Sequence, residues 1–439
     1  MRALCAWVGN ARSILNVMSL TPHDELHLTR ALALAQEAAA FASPNPTVGC
    51  VLTHNNTLLA EGAHFYDNRD HAEIAALKQA AALGHSVRNA TAYVTLEPCA
   101  HHGRTGPCSE ALIAAGIARC VVATVDPNPL VSGQGLAKLR AANIEVVLLD
   151  PTHPLAQQAR RLNDAFAFSI QHHRPFVTLK AALSVDGKLA PPPSTRTTTA
   201  PHWLTGTAAR ADVQTLRHTS DAILTGIGTI LADNPSLTDR TNLLRRRPLL
   251  RIILDTTLRT PLSSQLLSGP VISTEAQRSG EIPALSPTSA STANDLLILC
   301  AEDTTIASSD REAALTAAGA EVLRIPTHSN HLDLHAAITA LAQRNILSIL
   351  IEAGSNLNGA FLRANLVDKL VLYYAEQELG LNALPFATNF DSPYTLQQRL
   401  TQTTRTAFPS DIPPNTPTHT EDIRITGYLH APWPNPSIV

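Results

Sequence analysis

Apolar residues recur along this chain in two rhythms, short continuous runs that suit strands and three-to-four spaced stretches that suit helices. Asp24 to Phe41 is rich in alanine and leucine at helical spacing, with Thr21 or Asp24 placed to cap it. SPNPTVGCVLT is a proline-broken turn leading into an apolar run. His54, Asn55 and Asn56 form the turn of a hairpin whose returning strand is TLLAEGAH. HAEIAALKQAAALG predicts a helix that stops at Gly84. After it come the strand TAYVTLEP, the helix SEALIAAGIA, the strand RCVVATVDP, the helix GLAKLRAANI and the strand EVVLLD. Strands alternating with short helices predict a three-layer α/β/α domain over residues 21–150.

The stretch LAQQARRLNDAFAFSI reads as one helix and QHHRP as a polar turn, which makes residues 151–173 a connecting helix and linker. A second series of apolar runs follows: PFVTLKAAL, DAILTGIGTIL, PLLRIILDTTL, DLLILCAE, AEVLRIP, LSILIEAG and KLVLYYAEQEL. The helices ARADVQTLRH and LDLHAAITALAQR lie among them, so a second α/β domain is expected over 174–404. PPPSTRTTTAP at 191–201 and a Ser/Thr/Pro/Ala-rich stretch at 275–295 read as loop insertions. Residues 405–439, rich in proline and threonine, read as a partly ordered tail. Met18 is the only methionine after Met1, and residues 1–20 are expected to be disordered or to precede the true start.

A length of 439 residues agrees with two domains that each bury a core. The formal net charge is −3, with no basic stripe interleaved with aromatics, which argues against nucleic acid as a partner while leaving small phosphorylated ligands open. No apolar stretch is long enough to span a bilayer, and Gly9, Asn10, Arg12 and Asn16 break the N-terminal run that a signal peptide would need. Six cysteines in so long a chain do not make a disulfide framework, and a reducing cytoplasm fits them best.

The sharpest chemical pattern is His71-Ala-Glu73, then Pro98-Cys99, then Pro107-Cys108. One histidine and two thiolates suit a zinc ion with a fourth position left for water, which such a site makes acidic enough to react near neutral pH. Glu73, two residues past His71 at a helix start, is placed to carry a proton from that water to departing ammonia without ligating the metal. Singly, these residues read as a core histidine, a surface glutamate and buried thiols. A structural zinc site is the other reading, with His101 or His102 as fourth ligand.

SPNPTVGCV, HAE, TAYVTLEPCAHHGRTGPC and VDPNPLVSGQG together resemble the deaminase half of the bifunctional riboflavin-pathway deaminase–reductase family. The wide cysteine spacing separates it from cytidine and tRNA-adenosine deaminases. The resemblance implies a cytidine-deaminase-like fold and hydrolytic deamination of 2,5-diamino-6-(5-phosphoribosylamino)pyrimidin-4-one. It also implies that Asn45, His64, His101, Arg104, Asp126 and Asn128 hold the pyrimidine and the ribosyl phosphate. From the residues alone, Asn45 and Asn128 read as turn formers in two Pro-Asn-Pro loops. The stretch AHFYDNRD before His71 departs from the family's glycine- and alanine-rich sequence. Cys50 and Cys120 lie in apolar runs and read as core.

The second domain has no GxGxxG after a strand, so a Rossmann cofactor site is not expected. LKAALSVDGKLA, HWLTGTAARADVQTLRHTSDAILTGIGTILADNPSLTDR and IEAGSNLNGAFL resemble the family's dihydrofolate-reductase-like α/β domain. The resemblance implies reduction of the ribosyl group to ribityl with NADPH. Ala182, Trp203, Thr229, Asp233, Gly354, Ser355, Asn356 and Gly359 would contact the cofactor. Lys180, taken as catalytic, would face the substrate with Arg217, Leu237, Arg240 and Glu352. Arg217 and Arg240 suit a bidentate phosphate grip, and the glycines suit close approach of backbone amides to cofactor phosphates. Pro201 stands where the family has a substrate-contacting serine. A homo-oligomer is implied as well. Three other readings stay open: a reductase-like domain that only binds, a deaminase for another nucleobase, and an inactive assembly protein with a structural zinc. An intact Glu73 speaks against the last.

Overall fold

Thr21 starts the first helix, Pro22–Glu37, and it does so together with Asp24. The Asp24 amide donates to Thr21 Oγ1 at 3.2 Å, while the Thr21 amide and hydroxyl donate to Asp24 Oδ2 at 3.0 and 2.9 Å. Pro22 takes the first helical position, where a missing N–H leaves nothing unsatisfied. The computed structural model describes residues 20–101, 106–192, 203–267, 295–390, 392–412 and 421–434. Arg104, Pro201, residues 1–19 and nearly all of the two expected loop insertions lie outside the described residues. The chain divides into two units. The first takes in the chain up to Gln36, Val48–His64 and Asn68–Leu162, and the second takes in Glu37–Thr47, Phe65–Asp67 and the chain from Asn163 on.

In the first unit five strands, β1 (Gly49–His54), β2 (Thr57–Ala63), β3 (Thr91–Val94), β4 (Arg119–Val122) and β5 (Glu145–Leu148), form a sheet in the order β2-β1-β3-β4-β5. The hairpin β1-β2 turns on Asn55 and Asn56, whose φ of 49° and 62° supply the left-handed pair that a two-residue turn needs. β1 is antiparallel to β2 and β3, and β3, β4 and β5 run parallel. Val51, Tyr93, Val121 and Val147 face one side and pack with Leu28, Leu32, Ala156 and Ala159 of the helices Pro22–Glu37 and Pro154–Leu162. The alternation of a strand sends Cys50, Leu52, Cys120 and Val122 to the other side, and the field of Glu73 reaches both thiols there. The three-layer arrangement is therefore present.

The single helix expected over 155–170 is instead two, Pro154–Leu162 and Asp164–His172. Asn163 breaks it because its side chain is committed elsewhere, accepting from the Thr47 amide at 2.7 Å and donating to the Thr47 carbonyl at 3.0 Å.

The second unit is built on β6 (Phe176–Ser184), β7 (Lys188–Ala190), β8 (Ala222–Gly226), β9 (Leu250–Leu254), β10 (Leu296–Ala301), β11 (Glu321–Ile325), β12 (Thr327–His328), β13 (His331–Leu332), β14 (Ser348–Ile351), β15 (Lys369–Ala375), β16 (Leu384–Pro385), β17 (Thr401–Pro409) and β18 (Glu421–Tyr428). Nine of these make one sheet in the order β11-β10-β9-β8-β14-β6-β15-β18-β17, while β12-β13 and β16-β7 are small pairs. From β11 to β15 neighbours run parallel, and β18 and β17 are antiparallel. The long run DAILTGIGTIL is a strand only to Gly226, after which Ile227–Asp233 is helical.

The expected tail from 405 is corrected by this sheet. β17 and β18 form an antiparallel ribbon, and β18 pairs with β15 in the register Leu372↔Ile425. An outermost strand faces water and needs no apolar pattern, so its threonines and arginine gave no strand signal.

Asp24 does more than cap. It is 1% exposed and takes Arg119 at 2.6 and 3.1 Å and the Tyr93 hydroxyl at 2.9 Å. Burial pushes its carboxyl up, but the bonds from Arg119, Thr21 and Tyr93 outweigh this and hold it well below the ordinary range. Asp24→Asn is expected to cost on the order of 3 kcal/mol of stability near neutral pH in denaturant titrations. A carboxyl held down in the folded state stabilises above its unfolded pKa of about 4 and loses this as pH falls. The difference between the two proteins should therefore close in acid; a difference that persists would assign the effect to shape and not charge.

Candidate active sites

His71 stands immediately before the helix Ala72–Ala82, in extended conformation, so Glu73 falls in the helix's first turn and is 3% exposed. Cys99 lies on the loop leaving β3, and Pro107 precedes the helix that begins at Cys108. His71 Nδ1 lies 3.5 Å from Cys99 Sγ and 3.3 Å from Cys108 Sγ, and the three ligand atoms lie within 4.8 Å of one another. The protein itself brings the cysteines together. The Cys108 amide donates to Cys99 Sγ at 3.3 Å, and the Ser109 amide and hydroxyl donate to the Cys99 carbonyl at 3.1 and 3.0 Å.

The hydrogen bond from Cys108, with help from His71, draws the Cys99 thiol far below its ordinary value, toward the thiolate that a metal needs. Burial pushes the Glu73 carboxyl up to about 7. This donor set fits zinc with one position left over. Among the described residues no fourth His, Cys, Asp or Glu joins the group, and His101 is exposed outside it.

His64, 3% exposed, lies edge-on to His71 with ring centroids 5.4 Å apart. Its Nδ1 meets the Asp70 carbonyl at 2.7 Å, and since a carbonyl only accepts, Nδ1 carries the proton. Asp126 and Asn128 lie on the loop after β4 and make two successive turns, the Asn128 amide donating to Asp126 Oδ1 at 2.8 Å and the Leu130 amide to Asn128 Oδ1 at 3.0 Å. Burial raises the Asp126 carboxyl. Asn45 belongs to the other unit, where its amide donates to the Ala42 carbonyl at 2.9 Å.

In the second unit β6 alternates, with Val177, Leu179, Ala181 and Leu183 in the core and Thr178, Lys180 and Ala182 on the opposite face. Lys180 Nζ lies 3.7 Å from Glu352 Oε2, just past the end of β14, and 5.8 Å from the Tyr373 ring centre. Arg217, from the helix Thr207–Thr219, donates Nε and Nη2 to the two Glu352 oxygens at 2.7 and 3.0 Å and Nη1 to the Thr238 carbonyl at 2.9 Å. Burial lowers Lys180. Burial would raise Glu352, but Lys180 and Arg217 prevail and hold it at about 2. The Arg217 fork is thus engaged by Glu352, while Arg240, exposed on the loop that carries Thr238, donates Nη2 to Ser236 Oγ at 3.2 Å. Leu237 is buried at φ 53°, a left-handed backbone that its side chain disfavours.

Two helices begin directly off the adjacent parallel strands β8 and β14, at Gly226 and Gly354. A Cβ built on Gly354 would have only Thr229 Oγ1 near it, at 4.0 Å. Paired helix starts at the carboxyl ends of parallel strands, with open space at Gly354, fit the phosphates of a dinucleotide. Ser355 and Asn356 open the second helix and meet Thr388 Oγ1 at 2.9 and 2.8 Å. Gly359 is also required by packing, since a Cβ there would stand 2.2 Å from the Thr388 carbonyl. Trp203 is half exposed, its ring 5.1 Å from the Arg210 guanidinium, and Asp233 ends the helix begun at Ile227.

Comparison with known proteins matches each unit to a known domain family. Residues 21–124 match the family described as the cytidine and deoxycytidylate deaminase zinc-binding region, and residues 175–412 match the RibD C-terminal domain. The riboflavin biosynthesis protein RibD of Escherichia coli (strain K12) is 37% identical over 378 residues, 83% of this chain and 91% of that protein. The chain belongs to the RibD family. The RibD of Synechocystis sp. is 36% identical over 366 residues, covering 82% of this chain and 87% of its own length. The structure of Acinetobacter baumannii RibD, form 1, superposes with a TM-score of 0.68 at 32% identity, over 92% of this chain and 98% of that one. Members of this family combine a deaminase with a reductase and serve riboflavin biosynthesis, with zinc and NADPH as the cofactors the two domains imply.

Glu97 and Asp239 carry no distinguishing signal in the sequence alone. Glu97, three residues past β3, is buried. Asp239 binds His218 Nδ1 at 2.8 Å and the Thr241 amide at 2.9 Å, shaping the loop that carries Leu237 and Arg240. Only the fold brings these partners together. Cys108→Ala is expected to lower tightly held zinc from about one per chain to almost none by metal analysis. Full retention would remove Cys108 from the ligand set.

Proposed function

We propose that this chain deaminates 2,5-diamino-6-(5-phosphoribosylamino)pyrimidin-4-one in its first unit and reduces the ribosyl group of the product in its second. The observation that carries the first step is a buried carboxylate, Glu73, in the turn that follows one donor of a three-donor His/Cys/Cys cluster. The structure of a diaminohydroxyphosphoribosylaminopyrimidine deaminase/5-amino-6-(5-phosphoribosylamino)uracil reductase from Thermotoga maritima superposes with a TM-score of 0.69 over 92% of this chain at 27% identity. His71, Cys99 and Cys108 hold zinc, whose Lewis acidity makes water a nucleophile near neutral pH. Glu73 takes a proton from the attacking water and gives one to the departing nitrogen, so that the water oxygen stays on the ring as the carbonyl and the amino group leaves as ammonia. His64, His101, Arg104, Asp126 and Asn128 grip the pyrimidine and the phosphorylated ribose.

In the second unit NADPH supplies a hydride to C1′ of the ribose. Ala182, Trp203, Thr229, Asp233, Gly354, Ser355, Asn356 and Gly359 line its place. As the C1′–O4′ bond opens, Lys180 gives a proton to O4′, and its lowered proton affinity in a buried position suits a donor. Glu352 holds the Lys180 ammonium and Arg217 in place, while Leu237 and Arg240 border the substrate. The enzyme works as a homo-oligomer in the cytoplasm, a compartment in keeping with its unpaired thiols at Cys50, Cys99, Cys108, Cys120 and Cys300.

The test is one cuvette holding the zinc-loaded protein, the diaminopyrimidinone ribosyl phosphate and NADPH, with ammonia and NADPH followed together. Ammonia should appear first and oxidation should lag. Ammonia without oxidation would leave the second unit as a binding domain, and neither signal would overturn the substrate assignment. Glu73→Gln is expected to slow ammonia release about 10²- to 10⁴-fold with zinc retained; undiminished release would end the proton-carrier role. Lys180→Met should abolish oxidation of the deaminated intermediate and leave ammonia release intact. Continued oxidation would mean that the O4′ proton has another source.

A further inference from the structure

Glu97 is a carboxylate with 5% exposure, two residues before the ligand Cys99, and no catalytic step uses it. No cationic side chain among the described residues meets it. Four backbone amides do. Oε2 accepts from Asp126 at 3.1 Å and Gly133 at 2.9 Å, and Oε1 accepts from Gly135 at 2.9 Å and Leu136 at 3.4 Å. All four belong to one short stretch of chain, the loop after β4 and the start of the helix Gln134–Ala141. A buried anion held by amides alone fixes the position of every peptide that points at it, because losing any one leaves charge unsolvated.

Two further contacts show that this stretch is pinned to the metal-ligand loop. A Cβ on Gly135 would stand 1.9 Å from the Pro98 carbonyl, so the backbones lie in direct contact. Lys138 Nζ donates to the Ala100 carbonyl at 2.9 Å. Contacts at Glu97, Pro98 and Ala100 therefore hold Cys99 between them, and all three reach the segment that begins with Asp126 and Asn128. The Glu97 amide itself donates to the Thr124 carbonyl at 2.9 Å, closing the same segment from its other end.

We propose that Glu97 is a positioning residue for the deamination: its carboxylate sets Asp126 and Asn128, as substrate grips, at a fixed place relative to the metal-bearing Cys99. This rests on the reading of the first unit given above. Replacing one carboxylate oxygen by an amide group turns an acceptor into a donor facing two backbone N–H groups, which pushes the loop away while leaving the Cys99 backbone and the zinc donors untouched. A loosened grip raises KM. A fold damaged as a whole lowers the fraction of active protein, and so kcat, without moving KM.

The experiment compares wild type, Glu97→Gln and Glu97→Asp as full-length zinc-loaded proteins. The readouts are KM and kcat for ammonia release from the diaminopyrimidinone ribosyl phosphate, zinc content, and NADPH oxidation with the deaminated intermediate. The expected result for Glu97→Gln is a KM raised at least about tenfold, with kcat changed less, zinc at the wild-type level and NADPH oxidation unchanged. Glu97→Asp, which keeps both acceptors and the charge, should recover part of the KM. A wild-type KM in Glu97→Gln would overturn the positioning role alone. Loss of zinc in Glu97→Gln would overturn it too, by showing that the residue serves the metal loop. No ammonia from the wild-type protein would instead overturn the substrate reading and take this proposal with it.

Discussion

Taking a carboxylate out of water is the constraint around which this structure is arranged, because a buried negative charge must be met by donors or cations or be given up. Four groups meet it in different ways. Asp24 is met by a guanidinium, a hydroxyl and its own helix start, and ties the first helix to β3 and β4. Glu97 is met by amides and ties the loop after β4 to the cysteine loop. Glu352 is met by Lys180 and Arg217 and ties three elements of the second unit to one point. Glu73 lacks comparable compensation, and its proton affinity rises instead.

That last difference separates structure from chemistry. Asp24 and Glu352 are held below the ordinary carboxylate range, and they, like Glu97, hold their partners in place. Glu73 sits where a proton is easily gained or lost, beside donors that the protein has already assembled through backbone and Ser109 contacts. A site so prepared binds a metal without reorganising, and substrate contacts pinned to the same loops share its rigidity.

The second unit applies the same economy to a different reaction. Parallel strands deliver their carboxyl ends to one edge, where β8 and β14 each turn straight into a helix and β6 sends Lys180 and Ala182 to the face opposite the core. Cofactor and proton donor can then be served by neighbouring strands. The antiparallel ribbon β18-β17 extends the sheet on the far side of β15 and makes the exposed, threonine-rich β17 its outer strand.

By itself the sequence determined the local and the chemically distinctive. The helix start at Thr21–Asp24, the Asn55–Asn56 turn, the strand runs and the His71, Glu73, Cys99 and Cys108 pattern were all legible, since each depends on neighbours in the chain or on residue types that few other sites need. Only the tertiary structure decided the break at Asn163, the ribbon built from a polar C-terminal stretch, the engagement of Arg217 by Glu352 and the amide clamp on Glu97. Each of these depends on a partner distant in sequence, often a backbone group that every residue carries. A hydrogen bond to a peptide N–H leaves no mark in the identity of the residue that offers it, so the sequence names the anion and the fold alone names what meets it.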